Sequence, residues 1–174
     1  MNPRGRPKRG GTAPLAMAAL LLLADGAAAQ SLPAAIAVPG ATIVATFHAV
    51  GAQVYECKSG SDGKLAWTFR EPIATLMLDG KTVGRHYAGP TWEHMDGSVV
   101  VAKGAGSAPG ATADDIAWLK LEVLSHRGNG TLDAASAVQR INTSGGVLRG
   151  SCDHAGRLMS VPYSADYVFL RAGG

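Results

Sequence analysis

The chain has 174 residues, 47% of them hydrophobic and 17% charged, with a formal net charge of +3. Four of its 16 Lys and Arg residues and one of its 13 acidic residues fall within residues 1–29, so the remainder carries twelve charges of each sign. That neutrality removes the compositional support for a nucleic-acid or anionic-membrane partner, and the roughly 145 residues left suffice for one domain with a sizeable core.

The first elements in the chain are targeting signals. Arg4, Arg6, Lys8 and Arg9 form a basic region, Ala13 to Ala24 an apolar one, and Ala27-Ala28-Ala29 a small-residue cleavage pattern. Together they predict a secretory signal peptide over residues 1–29 and an exported protein, periplasmic or extracellular. The apolar run of about 12 residues is short of the roughly 20 that cross a bilayer, so no membrane span is expected after cleavage.

Residues 30–48, with Pro33 and Pro39, read as an extended leader into a first strand near Ile43, followed by a β domain over residues 49–172. Gln53, Tyr55 and Cys57 alternate with Val54 and Glu56, and Leu65, Trp67 and Phe69 with Ala66, Thr68 and Arg70. The turn-forming stretch 59–63 between them predicts a hairpin. Further strands are expected at residues 74–78, 83–88, 98–103, 116–125, 137–143 and 163–170. Asp114 and Asp115 admit a capped helix over 112–125, but the alternation of Ala117, Leu119, Leu121 and Val123 with Trp118, Lys120 and Glu122 favours a strand. Alanines 134, 135 and 137 leave 132–140 open to either state, and the glycine-rich stretch 103–110 reads as a flexible loop. The expected fold is an all-β, antiparallel β-sandwich or barrel-like single domain with one disulfide. An oxidising compartment makes a Cys57–Cys152 bond the economical reading, with two buried thiols as the alternative.

Six runs carry a resemblance: Gly51 to Cys57, Gly84 to Trp92, Asp96-Gly97-Ser98, Ile116 to Leu119, Gln139 to Gly146 and Val161 to Phe169. In this order they resemble DUF3455, a family of exported bacterial and fungal proteins of unknown function, over Ala49 to Leu170. The resemblance implies a single exported β-rich domain with a cysteine pair matching Cys57 and Cys152, and it implies no activity.

The sharpest local chemistry lies between Val83 and Asp96. If Gly89-Pro90-Thr91 is the hairpin loop, His86 faces His94 and Gly84 faces Asp96. Two imidazoles at the roughly 5 Å Cβ spacing of opposed strand residues can share a metal, with Asp96 on the same face. The resemblance includes a histidine matching His86 and is looser at His94. The alternative is a ligand pocket in which His86, Tyr87 and Trp92 supply ring area and direction, joined by the polar pair Arg140 and Asn142, which suits an anion or a sugar hydroxyl. No nucleophile elbow, phosphate loop or cofactor signature is present, so no cofactor and no catalytic residue is assigned. The sequence specifies neither enzyme nor oligomeric state. Its leading reading is a binding or structural module of the cell envelope or exterior, whose partner is a small molecule or an envelope glycan. A metal-assisted secreted enzyme using His86, His94 and Asp96 is the second reading.

Overall fold

The structure, a computed structural model, describes Met1 and residues 32–173; the segment read as a signal peptide lies outside these residues. Period-two alternation runs through most of the described chain and produces eight strands: β1 (Thr42–Ser59), β2 (Leu65–Leu78), β3 (Lys81–Tyr87), β4 (Thr91–His94), β5 (Val99–Ala108), β6 (Trp118–Arg127), β7 (Ala137–Gly145) and β8 (Leu158–Arg171). Each pairs antiparallel with the next and β8 returns to β1, which gives a closed up-and-down barrel. Closure leaves the sheet without an unpaired edge. The all-β expectation holds, and the barrel is realised rather than the sandwich.

β1, 18 residues long, pairs with β2 along one edge and with β8 along the other. At Gly51, a Cβ would stand 2.1 Å from the carbonyl oxygen of Ile73, so β1 passes β2 more closely than any side chain permits. Register breaks at Val54/Tyr55, Leu76/Met77, Val101/Ala102 and Ile141/Ser144 add further curvature.

Alternate residues of every strand meet inside. Phe47, Leu76, Trp92, Val100, Leu121, Val138, Tyr167 and Phe169 form one buried cluster, which Leu132 and Ala135 from the β6–β7 connection join from one end. The outer face carries paired charges, including Arg85 with Glu93 at 2.9 Å and Lys103 with Glu122 at 3.2 Å. Cys57 and Cys152 form a disulfide with their Cα atoms 5.9 Å apart, which ties the end of β1 to the β7–β8 connection.

Several expectations need correction or settling. The stretch 103–110 is not a flexible loop, because β5 continues to Ala108. Its glycines serve contact instead: a Cβ on Gly106 would stand 2.2 Å from the carbonyl oxygen of Ala35, where the 3-10 turn Ala34–Ile36 packs on the barrel. Ile36 is fully buried there, and its carbonyl accepts a 2.6 Å hydrogen bond from Gln139 Nε2. Within 112–125 the chain makes a turn and then enters β6, and within 132–140 it makes a turn and then enters β7. In the first turn Asp115 Oδ2 accepts from the Thr112 amide and hydroxyl, while Oδ1 accepts from the Gly145 amide, so its carboxylate fastens the β5–β6 connection to β7 rather than capping a helix.

Candidate ligand-binding cup

The β3–β4 hairpin sets the geometry. Thr91 is a strand residue, paired with Tyr87 and Val101, and its hydroxyl donates to the Ala88 carbonyl across the loop at 2.8 Å. The loop is therefore Ala88-Gly89-Pro90 rather than Gly89-Pro90-Thr91, and every pairing moves by two residues. His86 faces Trp92, and His94 faces Gly84.

The proposed metal set of His86, His94 and Asp96 does not assemble in this register. His86 stacks on Trp92 with centroids 4.5 Å apart, and its Nδ1 donates to the Thr91 carbonyl at 2.8 Å. His94 lies one layer further along, stacked on Phe47 at 5.4 Å and 2.9 Å from Asp96. Asp96 in turn accepts hydrogen bonds from the amides and hydroxyls of both Ser98 and Thr131. Among the described residues no group of three His, Cys, Asp or Glu side chains is placed to hold a metal.

The Asp96 carboxylate is thus a clamp joining the β4–β5 turn to the β6–β7 connection. Those hydrogen bonds, foremost the Ser98 hydroxyl, hold it well below the usual carboxylate range. Asp96→Ala should cost about 2 kcal/mol at neutral pH, because the side chain is 31% exposed and water partly replaces what is lost. A folded-state pKa below the unfolded value means that this contribution is complete above about pH 4 and fades as pH falls further. Urea melts from pH 7 to pH 2 should show the gap between wild type and Asp96→Asn narrowing only below that point; a constant gap would contradict the clamp.

At the other end of the barrel the interior is open. A cup of about 250 Å3 is lined by Phe69, Pro72, Trp92, Leu119, Leu121 and Tyr167, with His86, Arg70, Arg140 and the Ala88–Pro90 loop completing it. Register explains the convergence, since Leu119, Arg140 and Tyr167 are neighbours across β6, β7 and β8, while His86 and Trp92 are neighbours across β3 and β4. Phe69, half-exposed, and the Ala88–Pro90 loop form the rim, and Trp92, 1% exposed, belongs to the packed interior below.

Burial lowers the pKa of His86 to about 3, with the nearby Arg140 charge acting in the same direction and the Thr91 carbonyl opposing it. The ring is therefore neutral at physiological pH, with Nδ1 as donor and Nε2 as acceptor. Burial likewise raises the Tyr167 phenol, whose hydroxyl lies 3.2 Å from that of Tyr163. The two arginines differ. Arg70 sits at the β2 bulge 3.1 Å from Glu71 and 4.0 Å from Glu56. Arg140 is half-buried, and its Nε and Nη2 both donate to the Ala117 carbonyl, at 3.1 and 2.8 Å.

Of the five residues expected to bind a ligand, His86, Trp92 and Arg140 come together in the cup. Tyr87 faces outward, donating to Glu93 at 3.0 Å with Arg85 over its ring. Asn142 lies in the β7 register break with φ of 51° and donates to Asp166 on the outer surface, beside His48. Tyr167, Leu119, Leu121, Phe69 and Pro72 were not singled out by the sequence reading. Alternation placed Phe69, Leu119 and Leu121 on one face of their strands, and only the barrel's closure shows which such positions border an opening.

The sequence model of the family described as "Protein of unknown function (DUF3455)" matches residues 38–171, most of the chain. This chain belongs to the DUF3455 family. The match takes in every residue of the cup and both cysteines of the disulfide. No curated protein and no solved structure gives a match. Within this DUF3455 chain the segment Leu32–Ala37, which packs on the outside of the barrel, precedes the matched region.

Proposed function

We propose that this DUF3455 protein is an exported binding module whose barrel holds one small molecule in the cup. The observation that carries the reading is the convergence of a neutral imidazole, an indole and two guanidiniums, one of them already beside carboxylates, on a largely apolar opening in a closed barrel. Few polar groups on an apolar wall is the pattern of small-molecule sites. At about 250 Å3 the cup exceeds the roughly 150 Å3 cavity that takes up benzene, yet is smaller than typical drug-sized pockets, so it suits a single ring or a short branched chain. A whole glycan chain does not fit inside, although one sugar residue does.

Export is supported by the basic, apolar and alanine runs of residues 1–29 and by the chemistry of a disulfide, which persists in the periplasm or outside the cell. The outer face, with ion pairs such as Arg85–Glu93 and Lys103–Glu122 along the strands, is the inverse of a lipid-facing barrel, whose outer band is apolar. Among the described residues no helix is long and apolar enough to cross a membrane. A metal-assisted enzyme draws no support from the observed register, since His86 and His94 are not opposed.

A thermal-shift screen of single-ring and sugar fragments tests this. A ligand at about ten times its Kd stabilises by about 1.4 kcal/mol, or roughly 3 °C for a domain of this size. Leu119→Trp, which places a second indole at the cup, should abolish the hits while leaving the melting temperature of the free protein nearly unchanged. A flat screen, or hits indifferent to Leu119→Trp, would point instead to a purely structural module.

A further inference from the structure

Arg140 is the singular feature of the cup. Its neighbour Arg70 has Glu71 and Glu56 beside it, whereas no acidic side chain of the described residues lies within 4.0 Å of the Arg140 guanidinium. The Ala117 carbonyl occupies one edge, taking Nε–H and one Nη2–H, and the Tyr167 hydroxyl lies beside the guanidinium, so only neutral oxygens of the protein meet it. A half-buried cation beside apolar walls is costly to desolvate unless an anion meets it. An independent observation points the same way: Trp92, on the cup wall and 1% exposed, has an indole Nε1 with no hydrogen-bond partner. The cup therefore holds a guanidinium that no carboxylate of the described residues neutralises, next to a buried indole N–H without a partner and a neutral His86.

Resting on the reading of the cup as a ligand site, we propose that its ligand is a small organic acid, in which a carboxylate meets the Arg140 guanidinium beside the Tyr167 hydroxyl and a single ring or branched chain packs against Phe69, Leu119, Leu121 and Trp92. A planar carboxylate matches the guanidinium fork with two parallel hydrogen bonds, a geometry that an ammonium cannot reproduce. The volume limits the body to about one ring. A long-chain fatty acid exceeds it. A hydroxyl on the ring adds a partner for His86 Nε2, so a hydroxylated ring acid should bind more tightly than the parent.

The test is a calorimetric titration of the purified protein with benzoate, 4-hydroxybenzoate, benzamide and benzylamine. Benzoate should bind with a Kd of about 0.1 mM, as befits a ligand of nine heavy atoms. Benzamide should bind about tenfold or more weakly, benzylamine should not bind, and the benzoate affinity should weaken as salt rises. Arg140→Gln should lower benzoate affinity about 10- to 100-fold, and Arg140→Lys should recover only part of it because the fork is lost. Since Arg140 also holds Ala117, the benzoate-to-benzamide ratio on the unaltered protein serves as a measure that needs no variant. Equal affinity for benzoate and benzamide, displaced by Leu119→Trp, would overturn the acid while leaving the cup as a site. No saturable binding of any of the four would overturn both.

Discussion

Trp92→Ala is expected to remove about 3–5 kcal/mol of stability, a large part of the roughly 5–15 kcal/mol that a domain commands. The indole is fully buried, stacked on His86 at 4.5 Å and set edge-on to Tyr167 at 5.3 Å and Phe169 at 6.0 Å. With His94, which stacks on Phe47, it also anchors β4, only four residues long, in the barrel. Deleting it leaves a large void contiguous with the cup, and rigid neighbouring strands cannot collapse to fill it. Trp92→Phe should cost much less, because a ring remains and an indole Nε1 without a hydrogen-bond partner disappears. Urea unfolding of the two variants provides the comparison. A loss under about 1 kcal/mol for Trp92→Ala would mean that the barrel interior is not organised around this side chain.

Opening the disulfide is the second large effect. The bond closes a loop spanning 95 positions, and loops of that size give chain-entropy estimates of about 4–5 kcal/mol, with measured losses usually between about 2 and 5. Paired Cys57→Ala and Cys152→Ala substitutions should therefore lower stability by about 3 kcal/mol, and a reducing agent should lower the melting temperature of the unaltered protein while leaving the variant unmoved. Cys57 is 1% exposed and sits where β1 meets the β7–β8 connection, so the bond also tethers that long connection at the open end of the barrel. Ligand affinity in the cup should weaken in the variant, whereas a control destabilised at the closed end, such as Asp96→Ala, should keep it. Titration of the denatured, unreduced protein should find no free thiol, and two would contradict the pairing.

Much of the barrel was legible in the alternation of apolar and polar residues. The hairpin between Cys57 and Trp67 was readable because the alternating runs flank a turn rich in Gly, Ser and Asp, and the pairing observed includes both residues. What alternation could not reveal was where strands stop when glycine lies inside them. At Gly106 the missing side chain makes room for the Ala35 backbone, so composition resembling a loop belongs to a strand. The candidate site shows the same division. His86, Trp92 and Arg140 were recognisable by residue type, and inward parity placed them on one face. Tyr87 shared the same sequence neighbourhood, yet parity alone puts it outside. Asn142 would share a face with Arg140 in a regular strand, but the register break at Ile141/Ser144 turns it to the surface. The His86–His94 pair failed on a loop shifted by one residue, which no local pattern distinguishes. Tyr167 lies beside Arg140 because β7 and β8 pair in the register Arg140↔Tyr167, which local sequence does not fix across the long connection between them.

Chemical-shift mapping of the isotope-labelled protein during titration with benzoate tests the central claim most directly. The cup reading predicts saturating shifts concentrated on Phe69, His86, Trp92, Leu119, Arg140 and Tyr167, with the outer His48–Asp166 pair and the Asp96 clamp unmoved. Shifts centred on the outer face, or none that saturate, would contradict it.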